Sequence, residues 1–298
     1  MASPPRSQSD PATLSEQLDF VERYPTRPLD RQTASWLIER LGAPQERLLD
    51  VVGPNGRQLL AMVFANMRNP DEAAELWILG YRGDANGPDA VARAVVWAKA
   101  KAAAAGARCL DLTLPAALQT LAPRLRAEGF EWVYDNYTMV LESIATTSLV
   151  QTPTPPDLRW TELGHDLAAS AYECYAAGFA EVSGAQIPSL DTFRATVLTA
   201  EIKPRILLEG SRVVAIARVV LLDAAAGRGE IRSIARHPSA RGRGLGKLLL
   251  AEALRTLIGS GATEACLEVA SDNAAAIGLY EQSGFETRET TAVYRSRL

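Results

Sequence analysis

The chain repeats itself at a distance of 155 residues. Gly106-Ala107 leading into Cys109-Leu110-Asp111 matches Gly261-Ala262 leading into Cys266-Leu267-Glu268, and Glu128-Gly129-Phe130-Glu131 matches Ser283-Gly284-Phe285-Glu286. Gly106 and Gly261 lie 155 positions apart, and so do Gly129 and Gly284. Self-similarity over such a distance marks a duplicated domain. A chain of 298 residues has room for two domains of medium size.

Periodicity gives each half alternating strands and helices. In the first half, strands are expected over 47–52 and 58–66, joined by the hairpin signal Gly53-Pro54-Asn55-Gly56, and over 74–80, 109–114 and 134–141. Helices are expected over 30–41, over the Ala-rich 88–105 and over 116–128, the last two ended by Gly106 and Gly129. Residues 146–157, rich in Thr and Pro without helical or strand period, read as a linker. In the second half, helices are expected over 164–180 and 190–200, and strands over 204–208 and 213–222. The domain boundaries are therefore a disordered N-terminus at 1–15, a first domain at 16–145, a linker at 146–157 and a second domain at 158–298.

The second half contains the stretch with the clearest chemistry. Glu230 to Ala235 is β-compatible, and Lys247 to Ile258 has apolar residues at helical spacing. Between them, Arg241-Gly242-Arg243-Gly244-Leu245-Gly246-Lys247 carries three glycines at alternate positions. Glycines let backbone N–H groups crowd against a ligand, and the helix that follows starts with free N–H groups and a positive dipole end. Such a turn suits a diphosphate. The pattern differs from the Gly-x-Gly-x-x-Gly of dinucleotide folds.

Composition limits the partners. With 47% hydrophobic and 22% charged residues the chain has an ordinary globular make-up, and a net charge of -4 supplies no basic field for nucleic acid. Met1 to Pro11 is polar with three prolines, neither a signal peptide nor a span, and no apolar run of membrane length follows. Cys109, Cys174 and Cys266 form no disulfide framework or metal spacing, which fits a cytoplasmic protein, with Cys109 and Cys266 read as buried free thiols. His165 and His237 build no zinc site, so no metal is expected.

Taken with Asn273, Leu279-Tyr280-Glu281 and Gly284-Phe285, the Arg241-x-x-Gly244-x-Gly246 loop resembles the GCN5-related N-acetyltransferases (the GNAT superfamily). The resemblance covers about residues 156–298 in architecture. It implies an α/β fold with two tandem domains, each a mostly antiparallel mixed sheet flanked by helices, in an arrangement similar to that of mycothiol synthase. It implies acetyl-CoA as co-substrate, anchored by the 241–247 loop, with the pantetheine arm along Ser233, Ile234, Ala235 and Arg236. A main-chain N–H near Ile234 or Ala235 would polarise the thioester carbonyl. Asn273 either bonds the pantetheine amides or caps the helix after it, and the two roles are compatible.

Acyl transfer to an amine also needs a base and an acid. Glu230 occupies the position of the base in the superfamily's histone acetyltransferases. Glu268 occupies that of the ribosomal-protein alanine acetyltransferases, and transfer through water alone is a third route. Tyr280 is the candidate acid, since a phenol can protonate a leaving thiolate without ionising at neutral pH. Phe285 reads as core and His237 as a loop residue. Glu181, Ser183 and Gln186 fall where the superfamily shapes its acceptor site. The first half has Arg82-Gly83-Asp84-Ala85-Asn86-Gly87 in place of the glycine loop and Leu125 in place of Tyr280. An aspartate there repels a diphosphate and a leucine donates no proton, so the first domain reads as degenerate.

The expected activity is transfer of acetyl from acetyl-CoA to a small-molecule primary amine, with the second domain catalytic. Two alternatives stand beside it: a protein N-terminal or lysine acetyltransferase, and an acyl-CoA-binding or interaction protein without turnover.

Overall fold

The computed structural model describes residues 11–26, 48–53, 56–64, 73–82, 87–114, 116–182, 185, 187–197 and 202–298. The helix expected over 30–41 lies outside them. The described residues fall into two compact units, the first of which is drawn from separate stretches of the chain. The first draws on 1–67, 71–134 and 291–298, the second on 135–290.

In the first unit, α1 (Pro11–Arg23) begins earlier than the sequence suggests, so residues 11–15 are helical rather than disordered. Its apolar face, Leu18, Phe20 and Val21, packs on Leu60, Met62 and Leu79. That burial offsets the entropy of ordering a polar terminus. The sheet runs β1 (Leu48–Gly53), β2 (Gly56–Phe64), β3 (Ala73–Tyr81), β4 (Cys109–Leu114) and then β11 (Glu286–Arg297). The expected hairpin forms, with Gly53 opposite Gly56. β3 and β4 are parallel, the other pairs antiparallel. α2 (Gly87–Ala104) links the parallel pair and lays Val91, Ala94, Val95, Ala98 and Ala102 on the sheet. The single helix expected over 116–128 is a 3-10 segment, Ala116–Leu121, followed by α3 (Ala122–Ala127). Pro123 has no N–H to donate, so α-type bonding starts afresh around it.

In the second unit, residues 135–141 of β5 (Glu131–Leu141) lead a sheet that continues through β10 (Glu264–Ala270), β9 (Arg228–Arg236), β8 (Arg212–Asp223), β7 (Ile202–Glu209) and β6 (Leu158–Glu162). Only β9 and β10 pair in parallel. One face is covered by α4 (Ala168–Phe179) and α5 (Leu190–Val197), which bury Tyr175 and Phe193 against Ile206, Ile216 and Ala235. α6 (Leu245–Gly259) packs with a second cluster that includes Val219, Ile231 and Leu267, against which α7 (Ala274–Gln282) also rests. Residues 146–157 are not a bare spacer. Leu149 is buried in a 3-10 turn, Ser148–Gln151, and Arg255 of α6 donates to the carbonyls of Val150 and Thr152. Arg255 is aimed by Glu252, a buried carboxylate 2.9 Å away that also takes Arg205 at 2.8 Å. No described helix is long and apolar enough to cross a membrane.

The repeat is written into hydrogen bonds. The turn after α2 closes through Ala107 N–H to the Ala102 carbonyl, and the turn after α6 through Ala262 N–H to that of Leu257. Phe130 N–H to Leu125 and Phe285 N–H to Tyr280 form a second such pair. Each needs a left-handed residue, which Gly106 (φ 82°), Gly261 (92°), Gly129 (83°) and Gly284 (91°) supply. β3 and β9, β4 and β10, and β5 and β11 begin at the same 155-residue offset.

The last strands are exchanged. β5 ends the first copy but pairs with β10 of the second, Ala265 to Ala270 opposite Leu141 to Asn136. β11 ends the second copy but pairs with β4 of the first, Ala292 to Arg297 opposite Leu114 to Cys109. Arg295 grips Asp111 through two bonds, Nε and Nη2 each 2.7 Å from a carboxylate oxygen, and Asp111 is buried. Arg295→Met removes both bonds from that carboxylate and should lower the unfolding free energy by about 3–5 kcal/mol. Urea denaturation reads the change, and an unaltered midpoint would show that the pair does not hold β11 in place.

Candidate active site

The site is built where β9 leaves its neighbour. β9 and β10 pair through Arg228–Glu264, Gly229–Ala265 and Glu230–Cys266, and the register stops there. β10 runs on to Ala270 against β5, while β9 runs on to Arg236 against β8 alone. From Ile231 onward, β9 therefore presents an edge of main-chain donors and acceptors to a slot between two strands. An open strand edge is a template for an extended chain that carries amides. On its other side β9 bulges. Arg218 faces Ser233 and Val219 faces Ile231, which leaves Arg232 without an opposite residue. Arg232 is thereby turned out to solvent, with Nε 2.8 Å from Glu230.

The glycine loop lies between the end of β9 and α6. Gly244 is the N-cap of α6 at φ 72°, and Gly242 has φ 77°. A Cβ on either would meet nothing within 4 Å, so the glycines serve the backbone conformation and leave open space at the helix N-terminus. A Cβ on Gly246 would lie 3.2 Å from Leu279 and 3.3 Å from Arg236 Nη1, so β9, α6 and α7 converge at that point. This arrangement fits a diphosphate, with bare N–H groups and a positive dipole end. The guanidinium groups expected to add charge are already engaged. Arg241 pairs with Glu181 at 2.9 Å, and Arg243 with Glu209 at 2.9 Å and Asp157 at 3.5 Å. Lys247 is exposed on the first turn of α6. Glu181 thus sits on the loop's own arginine, while Ser183 and Gln186 lie outside the described residues.

The two carboxylates share one face of the sheet. Glu230 stands opposite Cys266, and Glu268 follows two residues later on β10. Burial raises the Glu230 carboxyl above its ordinary value. Arg232 opposes that rise, the negative charge of Glu268 adds to it, and Arg218 opposes it. Glu268 is exposed, and its Oε2 accepts from Asn136 Nδ2 at 3.1 Å. Tyr280 is half-buried on α7, 5.8 Å from the ring of buried Phe285, and burial pushes its phenol up to about 12. Asn273 caps α7, its side chain accepting from Ala276 N–H at 3.3 Å. Phe285 is core, as its sequence context suggests, and His237 caps the 3-10 turn Pro238–Ala240.

Three features escape the sequence reading. Arg218, inside the apolar run of β8, donates from Nε to Ser233 Oγ at 2.7 Å and stacks 4.7 Å above the Tyr175 ring. Its one sequence signal is a charge within Val213–Leu222. Asn136 has none, because it and Glu268 are 132 positions apart. The thiols also differ from expectation. Cys174 is the buried one, while Cys109 and Cys266 are half-buried because β4 and β10 turn these positions toward less covered sheet. Burial, then the charge of Glu230, pushes the Cys266 thiol up to about 12.

At the corresponding places in the first unit the chemistry is different. Glu75 stands for Glu230 and accepts from its own neighbour, Trp77 Nε1, at 3.0 Å. Asp111, bound to Arg295, stands for Cys266, Thr113 for Glu268, and fully buried Leu125 for Tyr280. Residues 83–86 of its loop lie outside the described ones.

A profile of the Acetyltransferase (GNAT) family matches residues 167–285. Among curated proteins, the chain is 44% identical over 70 residues to a mycothiol acetyltransferase of Streptomyces avermitilis, covering 24% of this chain and 23% of that one. It is 38% identical over 76 residues to one of Corynebacterium jeikeium, 26% of this chain and 22% of that protein. The matched stretch thus spans less than a quarter of the length of these relatives. Among solved structures, a tandem GNAT protein from the clavulanic acid biosynthesis pathway superposes with a TM-score of 0.70 at 16% identity, over 98% of this chain and 97% of that one. A GCN5-related N-acetyltransferase from Sphaerobacter thermophilus gives 0.67 at 18% identity, over 90% and 87%. The fold is thus that of two GNAT-like domains in tandem, and residues 167–285 match the acetyltransferase (GNAT) family.

Proposed function

We propose that the second unit transfers an acetyl group from acetyl-CoA to the primary amine of a small molecule, and that the first unit has no such activity. The observation that carries this reading is the parting of β9 and β10 at Glu230, with the glycine loop at the end of β9 and a protonated Tyr280 on α7. The name of the curated relatives, mycothiol acetyltransferase, supports a small-molecule acceptor. In the first unit, Leu125 replaces the acid and Arg295 occupies Asp111.

Acetyl-CoA, when bound, supplies an activated thioester acyl group and a leaving thiolate. Residues 241–247 hold the diphosphate by main-chain N–H groups, with Arg241, Arg243 and Lys247 as charged neighbours. The first two then exchange carboxylate partners for phosphate. Ser233 to Arg236 pair with the pantetheine amides, and a main-chain N–H at Ile234 or Ala235 polarises the acyl oxygen. Glu230 takes one proton from the bound ammonium, and the neutral amine so formed attacks the acyl carbon with its lone pair, its second proton leaving to solvent as the amide forms. Tyr280 gives its phenolic proton to sulfur as the carbon–sulfur bond breaks. A phenol held near 12 remains protonated at neutral pH and is always ready to donate.

The first test is amine-dependent release of thiol from acetyl-CoA over a broad panel of primary amines. Tight coenzyme binding with no release by any amine would favour a binding protein without turnover. Gly244→Asp puts a carboxylate and a strained left-handed residue at the α6 N-terminus, and calorimetry should find the coenzyme site lost. A site that survives the substitution would place the coenzyme elsewhere. Tyr280→Phe should lower kcat by about 100-fold with little change in coenzyme affinity, and unaltered turnover removes Tyr280 from the chemistry. Glu230 must be ionised to act, so kcat/KM falls as pH drops through its raised pKa. Arg232→Met removes the cation that opposes that rise, so the acidic limb should move to higher pH. A limb that stays in place means another group titrates.

A further inference from the structure

We propose that Asn136 is a positioning residue for the acceptor, fixing Glu268 as the anion that receives the ammonium group while neighbouring Glu230 takes its proton. This rests on the acetyltransferase reading above and divides the labour between its two carboxylates.

The division follows from their surroundings. Glu230 is half-buried and already bound to Arg232 at 2.8 Å. It also faces Arg218 from β8, and Glu268 and Cys266 from β10. Glu268 is exposed, lies on the same sheet face and meets no cation among the described residues. One of its oxygens is taken by Asn136, which leaves the other for a positively charged donor. A carboxylate held by a neutral amide keeps its full charge for an incoming ammonium, whereas one neutralised by a guanidinium does not.

Asn136 is itself held firmly. It stands opposite Ala270 at the last rung of the β5–β10 ladder. The next residue is tied on both sides, with Asp135 N–H donating to Ser271 Oγ at 3.0 Å and Ser271 N–H to the Asp135 carbonyl at 2.7 Å. Those bonds fix the register that brings Asn136 to Glu268. In the first unit the same two positions are Thr113 and Thr291, with no carboxylate to hold. The residue pair is therefore present only in the unit that carries Tyr280. By sequence, Asn136 belongs to the first copy of the repeat, so strand exchange gives that copy a part in the second copy's chemistry.

The test is steady-state kinetics on the full chain, with acetyl-CoA and the fastest acceptor among phenethylamine, cadaverine, glucosamine and alaninamide. Asn136→Leu and Glu268→Gln should each raise KM for the amine about ten-fold, with kcat and the acetyl-CoA KM nearly unchanged. The double variant should be no worse than Glu268→Gln alone. In Glu268→Gln the acidic limb of kcat/KM should move to lower pH, because a like charge beside Glu230 is gone. Asn136→Gln retains a donor and should lose less, and thermal denaturation checks that each variant is folded. Multiplying effects in the double variant overturn the proposal, as does a large fall in kcat in Glu268→Gln at constant amine KM, which makes Glu268 the base. A wild-type protein that releases thiol neither with these amines nor with any of the broad panel removes the acetyltransferase reading and this proposal together, whereas an active wild type with multiplying variants removes the proposal alone.

Discussion

Parallel pairing between β9 and β10 lasts three residue pairs, and the open edge of β9 depends on its ending there. A longer ladder would consume the main-chain groups of Ile231 to Arg236 and close the slot. Two features of the neighbouring backbone oppose such closure. β10 turns its other edge to β5, which continues to Ala270, and β9 bulges at Arg232 and so twists away. Glu230 is the last residue of β9 paired with β10, so its side chain sits at the mouth of the slot. Its partial burial and its mixed neighbours follow from that position.

The outline of this architecture is legible in the sequence because its signals are local. Glycines that end helices, the hairpin at Gly53–Gly56 and the 155-residue spacing all report on conformation within a few residues. Glu230, Glu268 and Tyr280 are legible as candidates for the same reason, since each sits in a short motif beside a strand or helix end. Position alone leaves the two glutamates equivalent. Burial, an ion pair with Arg232 and a bond from Asn136 distinguish them, and each of these is a property of the folded chain.

What could not be read is what depends on distant pairing. The partners Asn136 and Glu268 are 132 residues apart, and Asp111 and Arg295 are 184 apart. A repeat in sequence implies two like units but says nothing about which last strand joins which sheet, because both choices satisfy the same alternation of apolar and polar residues. Arg218 was hidden for a different reason. A charge in an apolar strand reads as an interruption until a ring and a hydroxyl are seen to enclose it. Composition at 146–157 registers prolines and threonines but not the carbonyls that Arg255 collects.

The exchanged last strands also set an order of assembly. As the chain emerges from the ribosome, β1 to β4 are made early, yet the second strand that pairs with β4 arrives only with β11. β5 is made long before β10, and 123 residues separate the start of one from the end of the other at their closest rungs, Leu141 opposite Ala265. Contacts of such sequence separation are slow to form, because the loop entropy is lost before the pairing is gained. Until β10 and β11 are made, β5 and β4 each keep an edge without its partner strand, so each sheet closes only after both copies of the repeat have been synthesised.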